Sequence, residues 1–198
     1  RTLAVNSAGA TTFTGIVGGT NPLASLTTDA AGTTVLTANV TTTGAQSYGD
    51  PVTLAGNVTL AGTAITLSGT VNSDAPATPR QLTVNGSAAT TFGGIVGGTN
   101  ALASVTTNAA GTTAINANVT TSGAQTYSDP VTLGANVVLA STGSGNITFG
   151  GTLNSDATAR TLAVNTAGTT LFTGTVGGTN PLAGLTTDAA GTTTITAN

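Results

Sequence analysis

The chain has 198 residues with three Arg and six Asp, a net charge of −3, and no Lys, Glu, His, Cys, Met or Trp. General acid–base, nucleophilic and transition-metal chemistry draw on His, Cys, Lys and Glu, so most enzyme mechanisms lack their residues, and thiolate or imidazole metal sites are excluded. Three Arg cannot build the dense basic surface that nucleic acid requires, and no run of about 18 apolar residues offers a membrane span.

The composition is nevertheless that of a folded chain. Apolar residues make up 38% of it and the mean hydropathy is +0.28, which is too apolar for a disordered segment. Thr and Val are stiff at χ1 and suit a pleated surface, whereas good helix formers other than Ala and Leu are nearly missing. The expected class is all-β.

In chain order, Arg1–Asn6 is a segment that returns twice further on, and Phe13-Gly15-Val17 introduces a motif of large apolar, any, small, any, apolar residue. Gly18-Gly19 follows as a tight corner needing φ > 0. Thr27–Thr34 holds a turn around Asp29, whose side chain is expected to cap nearby backbone N–H groups. The motif returns at Leu36-Ala38-Val40, Leu54-Gly56-Val58 and Leu67-Gly69-Val71, with Asp50-Pro51 marking a turn into a strand between the first two of these. Asn72-Ser73-Asp74 reads as a corner, and Arg80 then restarts the series. Arg1–Asn6 matches Arg80–Asn85 and then Arg160–Asn165, which defines a long internal repeat. The second copy carries the motif at Phe92-Gly94-Val96, Ile115-Ala117-Val119, Leu133-Ala135-Val137 and Phe149-Gly151-Leu153. The third carries it at Phe172-Gly174-Val176, with another begun at Ile195-Ala197.

The three named positions of the motif are two apart, so on a strand they share one face. Val52, Leu54, Gly56, Val58 and Leu60 are expected to face one way, and Thr53, Ala55, Asn57 and Thr59 the other. A unit of about 20 residues cannot bury such a face alone, but stacked coils can. We therefore expect a parallel β-solenoid with four coils per long repeat. Repeat one is 1–79, repeat two 80–159, and 160–198 a partial third of about two coils, all in one continuous rod. Parallel crossovers are overwhelmingly right-handed, so a right-handed coil is expected. Copy two differs by a longer Ala140–Asn146 and a shorter Asn154–Arg160, and the apolar pattern survives both changes, as corner insertions in a solenoid would allow. An array of β-sandwich domains is the rival architecture. It does not account for four similar units inside each repeat, or for aromatics at only 3%.

No catalytic, cofactor-binding or metal-binding residue is nominated. Asp29 and Asp188 correspond to Asn108, so no carboxylate is required there. Asp74 and Asp156 lie close to Arg80 and Arg160 and are expected to pair with them across one coil. Gly18-Gly19, Gly97-Gly98 and Gly177-Gly178 lack the helix and Lys of a phosphate cradle and the Asp of a calcium-binding nonapeptide. Asn39 and Asn57, like Asn118 and Asn136, hold matching positions and suggest a hydrogen-bonded Asn ladder along the axis. Tyr48 and Tyr127 are too few for a carbohydrate platform and read as corner packing. Thr27-Thr28, Thr106-Thr107 and Thr186-Thr187 recur once per long repeat, not once per coil as an ice-binding array needs.

Thr27–Thr34, Asn118–Leu133 and Gly145–Asp156 resemble the repeat regions of giant bacterial surface proteins, namely filamentous-haemagglutinin-like exoproteins and autotransporter-type adhesins. The resemblance covers essentially the whole chain. It implies a right-handed β-helix, secretion to the cell surface, and a stalk or fibre role with no enzyme activity. Open solenoid ends expose unpaired strand edges, so the expected partners are adjacent repeats or other subunits end to end; the resemblance places any contact with host or abiotic surfaces in regions outside this segment. The alternative is an ice- or carbohydrate-binding solenoid.

Overall fold

A computed structural model describes residues 1–197. Among them every element is a β-strand and every strand pairing is parallel, so the chain is a β-solenoid with three faces per turn. The first turn sets the pattern: Thr2–Val5 lies on the first face, Ala10–Phe13 on the second, and Val17 begins the third.

The first face can be followed along the axis by its pairings, Leu3 to Leu26, Gln46, Ile65, Thr90, Thr113, Val131, Leu153 and Val176. Eight turns thus carry the chain from Leu3 to Val176, an average of about 21.6 residues per turn, near the lower end of the range for solenoid coils. Two further faces follow in Gly184–Thr187 and Thr192–Ile195. Turn length varies: the shortest turn runs from Thr113 to Val131 and the longest from Ile65 to Thr90. Eight steps of about 4.8 Å make an axis of about 38 Å. Longer turns push residues out at corners; one such loop holds Ser144 at φ 63°.

Alternation along each strand directs one set of side chains inward. On the second face Val52, Val71, Val96, Val119, Leu139 and Val164 stack one above another. On the third face Tyr127, Phe149 and Phe172 stack with ring centroids 5.5 and 5.0 Å apart. All are buried in one continuous core. Burying each such side chain contributes about 1.5–3 kcal/mol, so the core files dominate stability.

Two sequence expectations change in detail. The apolar-x-small-x-apolar triplet does not sit on one strand but turns a corner. Leu54 ends a strand on the second face, Gly56 occupies the bend, and Val58 opens the third face. Both apolar residues still point inward, which is why spacing alone does not distinguish the two arrangements. The middle residue is small because corners stack closely: a Cβ on Gly69 would lie 2.5 Å from the Asp50 carbonyl oxygen, and one on Gly151 equally close to that of Asp129.

The long repeat also occupies eleven faces, one fewer than four complete turns. Val17 begins the third face, its equivalent Val96 lies on the second, and Val176 lies on the first. Tyr48 on the first face is matched by Tyr127 on the third. Each repeat is therefore set back by a third of a turn. The cause is arithmetic: at the average turn length, the advance from Arg1 to Arg80, or from Arg80 to Arg160, amounts to about 3⅔ turns.

Candidate functional site

The most deeply buried carboxylates are those of Asp50 and Asp129, which are 1% and 0% exposed. Each fills the small-residue slot of a corner, Tyr48-Gly49-Asp50-Pro51-Val52 and Tyr127-Ser128-Asp129-Pro130-Val131. The Asp50 carboxylate accepts hydrogen bonds from Gly32 N at 2.9 Å and Thr34 Oγ1 at 2.8 Å, both in the preceding turn. Asp129 repeats this with Gly111 N at 3.2 Å and Thr113 Oγ1 at 2.8 Å. The sequence marks these Asp as turn formers; the structure makes them axial clamps whose oxygens are engaged and closed to substrate. Their inward position was legible in the corner motif, where Asp replaces Gly or Ala.

Beside each clamp lies a buried network that sequence reasoning missed. Gln46 Nε2 donates to the carbonyls of Ala61 (2.8 Å) and Val40 (3.2 Å), and the Tyr48 hydroxyl donates to Gln46 Oε1 at 2.9 Å. Gln125 and Tyr127 reproduce it with Ala140 (2.9 Å), Val119 (3.3 Å) and a 2.9 Å phenol bond. Both Tyr are core residues rather than corner packing, and burial pushes their phenols above the ordinary tyrosine value. The available signal was Gln46 and Tyr48 falling two apart on the inward register.

The Asn residues do bond along the axis, but not to one another. Oδ1 of Asn39, Asn57, Asn118 and Asn136 accepts from the backbone N–H of Thr59 (2.8 Å), Gln81 (3.0 Å), Val138 (2.8 Å) and Thr161 (3.0 Å), each one turn later. The side chain extends the ladder at a bend where strand pairing is interrupted. Asp29 likewise reaches back a turn to Ser7 N at 3.2 Å instead of capping locally.

On the surface, Arg80 grips Asp74 through Nε–Oδ1 at 2.8 Å and Nη2–Oδ2 at 3.0 Å, and Arg160 grips Asp156 at 2.9 and 2.7 Å. Each pair closes a single loop and does not cross a coil. The Arg hydrogen bonds hold both carboxyls below their ordinary value. In the Gly-Gly corners only the first glycine is left-handed, with φ 71°, 71° and 70° at Gly18, Gly97 and Gly177. Those loops are pinned downward in later copies: Asn72 Oδ1 accepts from Thr99 N at 2.9 Å, and Asn154 Oδ1 from Thr179 N at 3.0 Å.

The outward threonines are more regular than the sequence suggests. Thr59, Thr83, Thr106, Thr126 and Thr148 form a file on the third face, one per turn. They come from different places in the long repeat and align because of the eleven-face winding. The file stands alone: Thr83 lies between Gln81 and Asn85, Thr106 between Ser104 and Asn108, and Thr126 between Ala124 and Ser128.

Among the described residues there is no pocket, no cluster of potential metal ligands, and no helix long and apolar enough to cross a membrane. Asp50, Asp129, Gln46, Gln125, Tyr48 and Tyr127 are bound into the ladder or the core, and Asp74, Arg80, Asp156 and Arg160 into surface loops. No family model, no curated protein and no solved structure matches the chain.

Proposed function

We propose that this chain is a stalk or filament segment of a secreted bacterial surface protein, supporting adhesion or fibre formation outside the cell, and that it is not an enzyme. The observation that carries the reading is the destination of its buried carboxylates, glutamines and corner asparagines: Asp50, Asp129, Gln46, Gln125 and the corner Asn residues all tie one turn to the next. A chain that uses its functional groups to hold its own turns together is built to transmit length and stiffness. Adjacent repeats, or subunits placed end to end, are the partners such a rod requires, since an open coil leaves strand edges unpaired. Antibodies raised against the chain are expected to decorate intact, unpermeabilised cells of the producing organism. Labelling confined to lysed cells contradicts the reading.

The threonine file favours a second reading, binding of ice or carbohydrate through a hydroxyl-lined face. Thermal hysteresis or glycan retention that disappears on replacing Thr83, Thr106 and Thr126 with Lys supports it. The aromatic stacking usual in carbohydrate platforms is not on offer, because Tyr48, Tyr127, Phe92, Phe149 and Phe172 all point into the core.

A further inference from the structure

Four asparagines inside the rod hold one half of the carboxamide fixed and leave the other half free at the surface. Asn39, Asn57, Asn118 and Asn146 are exposed, and each stands immediately before a strand. Their Oδ1 atoms accept from backbone N–H groups one turn later, at 2.8 Å from Thr59, 3.0 Å from Gln81, 2.8 Å from Val138 and 2.9 Å from Thr169. Their Nδ2 atoms donate to no other residue among those described. In contrast, Nδ2 of Asn100 and of Asn180 is committed to the carbonyls of Ser73 and Ser155.

The residues that follow are the same in kind at all four places: Val40-Thr41, Val58-Thr59, Val119-Thr120 and Ile147-Thr148. Asn-x-Thr is the acceptor tripeptide for attaching a sugar to the asparagine nitrogen. Strand alternation buries the middle residue and turns the carboxamide and the hydroxyl outward together. A sugar on Nδ2 leaves Oδ1 free to accept, so the modification and the turn-to-turn bond are compatible. Asn136 makes the same bond, to Thr161 N at 3.0 Å, but Val138 stands where the hydroxyl is needed.

Placement and charge give an independent reason for such a group. Asn39, Asn57 and Asn146 border the third face: Asn39 lies one turn below Thr59, and Thr59 and Thr148 both belong to the threonine file. Little charge keeps neighbouring rods apart there. Between residues 30 and 187, Asp50 and Asp129 are buried, while Asp74 with Arg80 and Asp156 with Arg160 neutralise one another. A bulky, hydrated substituent supplies the solubility that net charge does not.

We propose that Asn39, Asn57, Asn118 and Asn146 carry N-linked sugar, transferred from a glycosyl phosphate donor by a separate glycosyltransferase. Nδ2 bonds to the anomeric carbon as that carbon's bond to the donor phosphate oxygen breaks. One Nδ2 proton passes to solvent and the phosphate departs with the electron pair. This rests on the reading of a secreted rod and adds a modification and the enzyme class that makes it.

Peptide mass spectrometry tests this on the protein recovered from the producing organism, with surface-released and intracellular material kept apart. Sugar is expected on the four asparagines and not on Asn136. Thr148→Val is the deciding variant, because it removes an outward hydroxyl while the Asn146 bond to Thr169 N remains. It should strip sugar from Asn146 and leave the other three sites modified. Four bare asparagines, sugar on Asn136, or sugar that persists at Asn146 in Thr148→Val overturns the proposal. Location is scored separately. Bare asparagines on surface protein sink the sites and spare the rod reading, whereas sugar-bearing protein found only inside cells upholds the sites and sinks the surface reading.

Discussion

Replacing Gln125 by Leu tests whether the buried polar network holds the turns together. Leu nearly conserves volume, so little cavity forms and packing changes are small. What is lost is specific: the 2.9 and 3.3 Å bonds to the carbonyls of Ala140 and Val119, and the acceptor for the Tyr127 hydroxyl. An orphaned buried phenol costs about 1–3 kcal/mol, and the under-satisfied carbonyls add a comparable amount. The apolar gain of Leu offsets part of this, leaving a loss of about 2–4 kcal/mol. Tyr127→Phe orphans only Gln125 Oε1 and is expected to cost about 1–2 kcal/mol. The double variant has no phenol left to orphan, so it should cost less than the sum, with a coupling of about 1–3 kcal/mol. Urea unfolding gives the totals. Because stacked turns open locally, amide exchange across 119–127 shows whether the loss is centred there. Gln46→Leu and Tyr48→Phe should reproduce the numbers, since the network is duplicated with its bond lengths nearly unchanged. Additivity within about 0.5 kcal/mol, or opposite behaviour in the two copies, would refute the reasoning.

Other expectations follow from the same contacts. Tyr48 and Tyr127 have raised folded-state values, so their contribution is intact below the ordinary tyrosine value near 10 and falls above it by about 1.4 kcal/mol per pH unit for each phenol; absorbance at 295 nm should show both tyrosinates appearing together with unfolding. Gly97→Ala should cost about 3 kcal/mol or more in thermal or urea unfolding, because it adds a clash with the Thr120 carbonyl to the strain of positive φ. Gly18→Ala meets the Thr41 carbonyl in the same way and should cost a similar amount. Asp129→Ala leaves Gly111 N and Thr113 Oγ1 without their acceptor and should lower stability by about 3 kcal/mol, with Asp129→Asn recovering part of the loss in the same assay. The chain has no Cys, so spin labels at Thr20, Thr99 and Thr179 report the winding directly. A third-of-a-turn offset predicts neighbouring labels about 30 Å apart and the outer pair about 43 Å, whereas loops stacked on one side give a ratio of about two.

Much of the fold was legible because the inward register is strict. Leu54, Val58, Ile65 and Leu67 are apolar wherever alternation sends them to the core, and all four are buried. What alternation could not reveal is where the chain bends. Leu54-Gly56-Val58 satisfies a straight strand and a corner equally, because in both the first and last residues point inward. The corners at Asp50 and Asp129 carry no small residue, and the Gly18-Gly19 corner is extended by a loop, so counting motifs finds four per repeat where eleven faces exist. The threonine file was hidden for the same reason: Thr59 and Thr83 are unrelated in the repeat and become neighbours only through the turn that joins them. The Asp and Gln roles were partly visible, since polar residues on an inward register demand partners. Their partners lay a turn away, at a separation that changes from one turn to the next and cannot be read without the winding.

The eleven-face winding also bears on how such a rod associates. With twelve faces per repeat, every Gly-Gly loop and every Asp–Arg loop would rise on one side, stacked in line. Setting each repeat back by a third of a turn places the three Gly-Gly loops on three different faces. The Asp74–Arg80 loop lies between the second and third faces, and the Asp156–Arg160 loop between the first and second. No face then shows the same loops in two successive repeats, so two rods lying side by side match only through the threonine file of the third face. The turn-to-turn surface is different in kind, because every turn presents the same ladder and the same inward rows along the axis. Regularity on the sides is thus confined to the threonine file of the third face, while the ladder and the inward rows repeat from turn to turn along the axis. Natural sheet proteins avoid edge-to-edge aggregation with charge and proline. A chain whose charged side chains are three Arg and six Asp achieves the lateral part of that protection through the length of its repeat.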